Sequence, residues 1–340
     1  MTDFRPDRRE FFQSLAGRLA DGARKRHGGL LTALGDDATR ADDNRSRRRR
    51  RPRMARAGHV ERTAQLDELR ELVAAHGLEH RLEDVERLAR TSARLLVGEA
   101  DSNAGSRFGG KPDLPAAATW PEWHGQRLDL LLQLDLEELT AAGFTGALPR
   151  TGALFVFYAR ADRPTGLSPD QRGACVALVA EPGPRQEAAG AARGIELSVQ
   201  LVLPRAWAAP VVALALDVEE EQAWERMRAD LARLQGVDAD EPAAGKRCLH
   251  RIGGYPDDTR GGMQLICDRV TAGADLEAGE PTAADGDERA AVARWDLLFQ
   301  LSADDLLGWS WGDSSRERLY VWQRGGGLGQ GPLDAWALAR

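Results

Sequence analysis

Residues 295–322, WDLLFQLSADDLLGWSWGDSSRERLYVW, read as strand, acidic turn, tryptophan-rich loop and second strand. Leu297, Leu298, Phe299 and Leu301 make a near-continuous apolar run, the pattern of a strand covered on both faces. Ser302-Ala303-Asp304-Asp305 breaks it with turn formers. Trp309 and Trp311 follow, then a Gly312-Asp313-Ser314-Ser315 turn, and Leu319-Tyr320-Val321-Trp322 reads as the returning strand.

The stretch has an echo. Residues 130–139, LLLQLDLEEL, align with residues 297–306, LLFQLSADDL. Each is followed some way on by a short apolar, aromatic run, at 153–158 in one case and 319–322 in the other. Two matched runs in the same order predict an internal duplication, with two related halves facing each other.

Working outward, composition narrows the class. A chain of 340 residues holds two domains or one large one. The net charge of −7 is unevenly spread. Residues 1–60 carry an excess of about eight positive charges, so the body is acidic. An acidic body argues against a nucleic-acid-binding fold, which needs a basic face. Cys175, Cys248 and Cys267 are odd in number and widely spaced, which is not a disulfide framework and points to a reducing, cytoplasmic setting. No apolar stretch approaches the roughly 20 residues of a membrane span.

The first 60 residues are expected to be a mostly disordered basic tail with one short amphipathic helix using Phe11, Phe12, Leu15 and Leu19. Arg8-Arg9 looks like a twin-arginine signal, but such a signal needs an apolar segment of about 7–15 residues. Residues 14–23 contain Arg18 and Asp21 instead. The arginine block at 45–53 repels itself. It could contact nucleic acid or an anionic surface weakly through counterion release.

Residues 61–98 read as helical. Leu66, Leu69, Leu72 and Val73 form one stripe ended by Gly77, and Leu82, Val85, Leu88 and Ala89 form a second, with Leu95 and Leu96 near its end. The main domain is expected over 99–340, with halves at about 105–205 and 207–340. Strands are predicted at 128–135, 152–159, 174–180, 195–203 and 211–216, and another at 265–270. Asp217 is a predicted N-cap for a helix carrying Trp224, Met227, Leu231 and Leu234. A short helix over 333–338, with Trp336 inward, is predicted to close the chain.

Two glycine-rich segments stand out. In the first, Gly109-Gly110 lies between Arg107 and Lys111, ahead of Pro112 and Pro115. It could hold an anion on backbone N–H groups and two cations, or be a tight corner over a sheet edge. No helix start follows, so it is not a P-loop. The second runs from Cys248 through His250, Gly253, Gly254, Tyr255, Pro256 and Asp257. A third glycine run, residues 325–331, follows a strand but leaves no room for the βαβ unit of a dinucleotide site.

These motifs in order resemble the YwqG-like family of bacterial proteins of unknown function. The resemblance rests on Phe108-Gly109-Gly110-x-Pro112-x-Leu114-Pro115, Trp120-Pro121 and Leu132-Gln133-Leu134-Asp135-Leu136. It continues in His250-x-x-Gly253-Gly254-Tyr255-Pro256, Trp295-x-Leu297-Leu298-x-Gln300-Leu301, Trp311-Gly312-Asp313 and Leu319-Tyr320-x-Trp322. It covers residues 100–340. It implies a mixed, β-rich, internally duplicated domain, usually cytoplasmic, and no reaction. The chain departs from the family at Ser302-Ala303-Asp304 and in its glycines after the last strand.

Chemistry-bearing residues are sparse. Cys248, His250 and Cys267 are the candidates for a three-ligand metal site, although structural-zinc spacing is absent. His250 is the best general base, with Asp257 or Asp313 as orienters, but there is no nucleophile elbow. No cofactor is implied. An aromatic and polar set, Arg107, His250, Tyr255, Trp309, Trp311, Asp313, Tyr320 and Trp322, would suit a cleft between the halves. The expected protein is therefore α+β, mostly antiparallel, and a binding or interaction module for a protein or small-molecule ligand. The alternative is a hydrolase-type or metal-dependent enzyme built on His250.

Overall fold

A computed structural model describes residues 58–100, 104–184, 192–235, 249–258, 261–279, 288–312, 317–325 and 331–340. The basic tail, Cys248 and Asp313 lie outside these residues.

The fold is α+β around one 11-stranded sheet in which every pairing between the described strands is antiparallel. Its strands are β1 (Arg90–Ala100), β2 (Arg107–Phe108), β5 (Asp129–Asp135), β6 (Ala153–Tyr158), β7 (Cys175–Ala180), β8 (Arg193–Val202), β9 (Arg251–Gly253), β10 (Trp295–Ser302), β11 (Arg318–Arg324), β12 (Gly331–Pro332) and β13 (Ala335–Ala339). A separate small hairpin joins β3 (Glu122–Trp123) to β4 (Gln126–Arg127). The large sheet runs β12-β7-β6-β5-β2-β8-β1-β9-β10-β11-β13.

The two outermost strands are neighbours in sequence. β12 pairs with β7 at one edge, and β13 pairs with β11 at the other. Only Leu333-Asp334 separates them, and the Leu333 amide donates to the Ala177 carbonyl at 2.8 Å. One segment therefore occupies both edges, and the sheet curls shut. This removes the unpaired N–H and C=O groups that an open edge exposes.

Inside the curl, alternate residues of the strands build the main core. Ala93, Leu95, Phe108, Leu132, Leu134, Val156, Phe299, Leu301 and Val321 all face it, with Trp309 and Trp311 packed among them. Outside, helices cover the sheet. α1 (Gly58–Ala75), α2 (Leu82–Leu88), α4 (Ala209–Val212) and α5 (Val218–Leu234) pack on the β8 side through Leu69, Val85, Val211, Trp224 and Met227, while the short α3 (Leu136–Ala141) puts Leu136 and Leu139 into the inner core. α6 (Met263–Thr271), followed in sequence by α7 (Glu288–Ala293), covers Trp295, Leu297, Tyr320 and Trp322. Asp217 caps α5, accepting from the Glu220 amide at 2.8 Å while Glu220 Oε2 accepts from the Asp217 amide at 2.9 Å. That is the reciprocal capping box.

Four expectations are corrected. The run over 90–97 is strand, not the end of a helix: Ala93, Leu95 and Val97 alternate inward, a period of two. Residues 209–212, with Pro210 in the first turn, form a helical turn where a strand was expected over 211–216. The predicted strand at 265–270 is helix α6, because Met263, Ile266, Cys267 and Val270 recur at spacings of three and four. The predicted closing helix over 333–338 is strand β13. Trp336 and Leu338 face the outer core and Ala337 the inner, again a period of two. Trp336 is buried as expected. The sheet also begins before residue 99, since β1 lies at its centre.

The seam makes a checkable demand at Gly166, which has φ +79° and whose added Cβ would lie 1.9 Å from the Ala337 carbonyl oxygen of β13. Gly166→Ala should cost about 3 kcal/mol. Gly77→Ala, at φ +72° with nothing within 4 Å, is the control and should cost about 1 kcal/mol. Urea unfolding of both variants would show it, and equal losses would mean that the seam at Gly166 is not tight.

Candidate functional site: an open copy of a buried arginine clamp

Reading outward from the central β8–β1 pair, the sheet presents the same feature on each side. Arg107-Phe108-Gly109-Gly110-Lys111-Pro112-Asp113 lies on one side and Arg251-Ile252-Gly253-Gly254-Tyr255-Pro256-Asp257 on the other. In both, the apolar residue after the arginine points into the inner core. Both glycine pairs have positive φ, from +63° to +75°. The turn they make brings the aspartate back over the outer face of the sheet. Arg107 pairs with Gln133 of β5, and Arg251 pairs with Gln300 of β10. Each glutamine Oε1 accepts the aspartate's amide, from Asp113 at 2.8 Å and from Asp257 at 3.0 Å. The hairpins beyond also match, with register shifts between Leu130 and Leu132 and between Leu297 and Phe299.

The two copies part at the carboxylate. Asp113 turns inward, so its Oδ2 accepts from Arg107 Nη1 at 3.0 Å and from Gln133 Nε2 at 3.0 Å. Arg107 also donates to the Ala104 carbonyl at 3.0 Å and the Lys111 carbonyl at 2.5 Å. Arg107 is fully buried, and its charge is met by a carboxylate. This is a closed clamp, so the first glycine turn is a corner over the sheet.

In the second copy Asp257 turns away. Its Oδ1 accepts from the Tyr320 hydroxyl at 2.9 Å, and its Oδ2 meets Arg318 Nη1 at 2.6 Å. The sequence explains the difference. Tyr320 pairs with Gln300 and Arg318 with Ser302, whereas the matching positions in the first copy are Phe155 and Ala153, which offer no donor. Without Asp257, Arg251 keeps a single hydrogen bond, 3.3 Å to the Tyr255 carbonyl, and among the described residues no carboxylate lies within 4.0 Å of it. Gln300 Nε2 has no partner among them either, although Gln300 is fully buried. The arginine Nε lacks an acceptor in both copies, so it does not distinguish them.

Burial pulls the Arg251 guanidinium below its usual pKa, Asp257 opposes that shift, and Arg318 and Arg94 add to it. Burial also lowers Arg205, with Arg228 adding to the effect, and Glu225, then Asp257 and Asp258, partly restore it. The Tyr320 hydroxyl is pushed well above its ordinary value, first by burial and then by Asp257. The rim is more open, with the Arg318 and Asp257 side chains 22% and 17% exposed. Trp207, 43% exposed, stands beside Gly261 at the same mouth.

The other candidates are dispersed. His250 is 2% exposed inside the curl, with Nε2 3.1 Å from Asp304 Oδ2 and its ring between Phe108 and Trp309. Trp311 is in the same inner core, and Trp322 lies under α6. The Tyr255 hydroxyl donates to the Leu88 carbonyl at 2.8 Å, with Arg90 over its ring. Of the sequence candidates, Tyr320 and Asp257 have their side chains in the second clamp, with Asp257 on Tyr320 and Arg318 rather than beside His250. Cys267 lies on the buried face of α6 in the outer core, where burial raises its thiol well above the usual value, while the His250 ring packs on Phe108 and Trp309 in the inner core. No group of three His, Cys, Asp or Glu able to hold a metal occurs among the described residues. Arg251, Gln300 and Arg318 were missed, and the repeated Arg-x-Gly-Gly-x-Pro-Asp was the signal for them.

The fold is thus a closed, curled antiparallel sheet with helices on its outer face. The chain belongs to the family described as a domain of unknown function (DUF1963), which matches residues 106–323 and so spans both clamps. No curated protein matches the chain. No helix among the described residues is long and apolar enough to cross a membrane.

The clamps predict unequal sensitivity. Gln133→Leu removes three hydrogen bonds and strands a buried ion pair, so it should cost about 3 kcal/mol. Gln300→Leu removes one hydrogen bond and should cost about 1 kcal/mol. Urea denaturation of the two variants compares them directly, and equal costs would mean that the second clamp is as closed as the first.

Proposed function

We propose that this protein is a binding module whose ligand is held at the second clamp, over Arg251 and Gln300. The observation that carries this reading is a buried guanidinium with no carboxylate within 4.0 Å among the described residues, beside a buried amide nitrogen with no acceptor among them. Each is costly in a folded protein, and one ligand with oxygen acceptors would meet both.

We further propose that the two clamps descend from an internal duplication, and that the chain is a cytoplasmic, YwqG-like member of its family. The matched arginines, glycine pairs, glutamines and hairpin register support the first point. The ordered motifs support the second. In this reading the leading strand of each half crosses to the other half, since β1 pairs with β9 and β8 with β2. The halves are then about 90–180 and 193–340, rather than 105–205 and 207–340.

The alternative is a hydrolase or metal-dependent enzyme using His250. It draws support from the His250–Asp304 pair, but that imidazole is sealed inside the aromatic core. A general base must reach substrate.

The test is ligand retention. Full-chain protein is incubated with a deproteinised cell extract, desalted and denatured, and the released small molecules are compared between parent and Arg251→Met. The parent should retain at least one molecule that the variant loses. Identical retention by both would move recognition away from the second clamp.

A further inference from the structure

The charges around the second clamp identify the kind of ligand, an inference that rests on the binding reading above. Four arginines surround the opening: Arg205, Arg251, Arg318 and Arg340. Two carboxylates answer them. Asp257 pairs with Arg318 at 2.6 Å, and Asp258 lies 3.5 Å from Arg340. Among the described residues, neither Arg205 nor Arg251 has a carboxylate within 4.0 Å, yet both lie within electrostatic reach of Asp257. Glu225, which could have served Arg205, is taken by Arg228 at 2.8 Å and by the Ala206 amide at 2.7 Å. Among the described residues the cluster therefore carries a local excess of positive charge, with Arg94 adding to the field at Arg251.

We propose that the second clamp binds a doubly charged oxyanion, the terminal group of a phosphate monoester or the two carboxylates of a small diacid. Arg251 and Gln300 face the ligand from the sheet, and Arg205 approaches from the segment before α4. The first clamp shows how the scaffold satisfies itself: there the Asp113 carboxylate receives Arg107 and Gln133 together, each at 3.0 Å. In the second clamp the ligand's oxygens take the position that Asp257 has vacated. A guanidinium and an amide donor side by side suit a planar or tetrahedral oxyanion. Asp257 and Asp258 are held in ion pairs, so they do not oppose it as free charges. Neutral or cationic ligands would leave Arg251 buried and uncompensated.

Titration calorimetry on the full chain at low salt tests this with glycerol 3-phosphate, inorganic phosphate, succinate and acetate. At least one dianion should bind at one site per chain, about tenfold or more tighter than acetate, and its affinity should fall with added salt. Preference for glycerol 3-phosphate over succinate assigns the phosphate source, and the reverse assigns the diacid. Arg251→Met should abolish binding. Arg318→Ala/Tyr320→Phe recreates the first copy's surroundings and frees Asp257 to close on Arg251 and Gln300, so it should stay folded and lose at least tenfold in affinity. Arg205→Met should weaken the dianion more than acetate.

Acetate binding as tightly as the dianions, or dianion binding unchanged in both Arg251→Met and Arg318→Ala/Tyr320→Phe, would overturn the proposal. If no anion binds while the extract experiment still shows retention that depends on Arg251, the ligand class is wrong and the site stands. If both experiments fail, the site itself is wrong.

Discussion

A sheet of 11 strands must do something with its two edges, and everything else in this protein depends on how that is done. The segment holding β12 and β13 gives two residues to one edge and five to the other. The curl it closes has an inside, and the inside is filled by apolar side chains and by the His250, Trp309 and Trp311 rings. It also has an outside with several separate surfaces. Each of these must be covered by a helix, covered by a loop, or left for something else. Three are covered, by the group of α1, α2, α4 and α5, by α6 and by the segment around Trp120. The outer face between the first two covers is where the second clamp lies.

The clamp is a solution to a local problem. Strands β2 and β9 are short, and each must pass its chain back over the sheet through a Gly-Gly turn. An arginine under that turn can tie it down by donating to the carbonyls beyond the glycines, as Arg107 does to Lys111 and Arg251 to Tyr255. A buried guanidinium then needs a counter-charge. The aspartate after the proline can supply it from within, as Asp113 does. Where Tyr320 and Arg318 compete for the aspartate, the same backbone exposes an unmet positive charge. Two side chains on β11, Tyr320 and Arg318, thus separate a clamp closed by its own aspartate from one that is not, with no change in the fold beneath.

Much of this was legible in the sequence. Alternation and turn residues located β5, β6, β7, β8, β10 and β11, and Asp217 with the Trp224, Met227 and Leu231 stripe located α5. The errors fell on short apolar runs, where strand and helix periods cannot be told apart until the facing surface is known. β13 and the 265–270 run are of that kind. The site was legible in one respect only. The aromatic residues drew attention as a cleft, yet Trp311 and Trp322 are core, because large rings fill the two faces of a curled sheet before they line a surface. The polar residues that matter, Arg251 and Gln300, sit one or two positions from residues that were noticed. Their meaning depends on which way the Asp257 carboxylate turns, and rotamer competition with Tyr320 and Arg318 does not show in a linear pattern.

The difference between the two clamps also follows from their positions. The first clamp is hemmed in by Gly105, Ser106 and Glu138, with Ser106 Oγ donating to Glu138 at 2.5 Å and accepting from the Asp135 amide at 3.0 Å. The connection from β1 to β2 is short, so this side has no room for a cleft. The connection from β8 to β9 is long and carries α4 and α5, and with them Arg205 and Trp207, across to the second clamp. A long insertion in a surface connection costs little in loop closure, so that side could acquire a wall and a second cation while the sheet stayed as it was. The insertion thus sets Arg205 near Asp257 and Asp258, so the charges around the second clamp depend on a connection that the first clamp lacks.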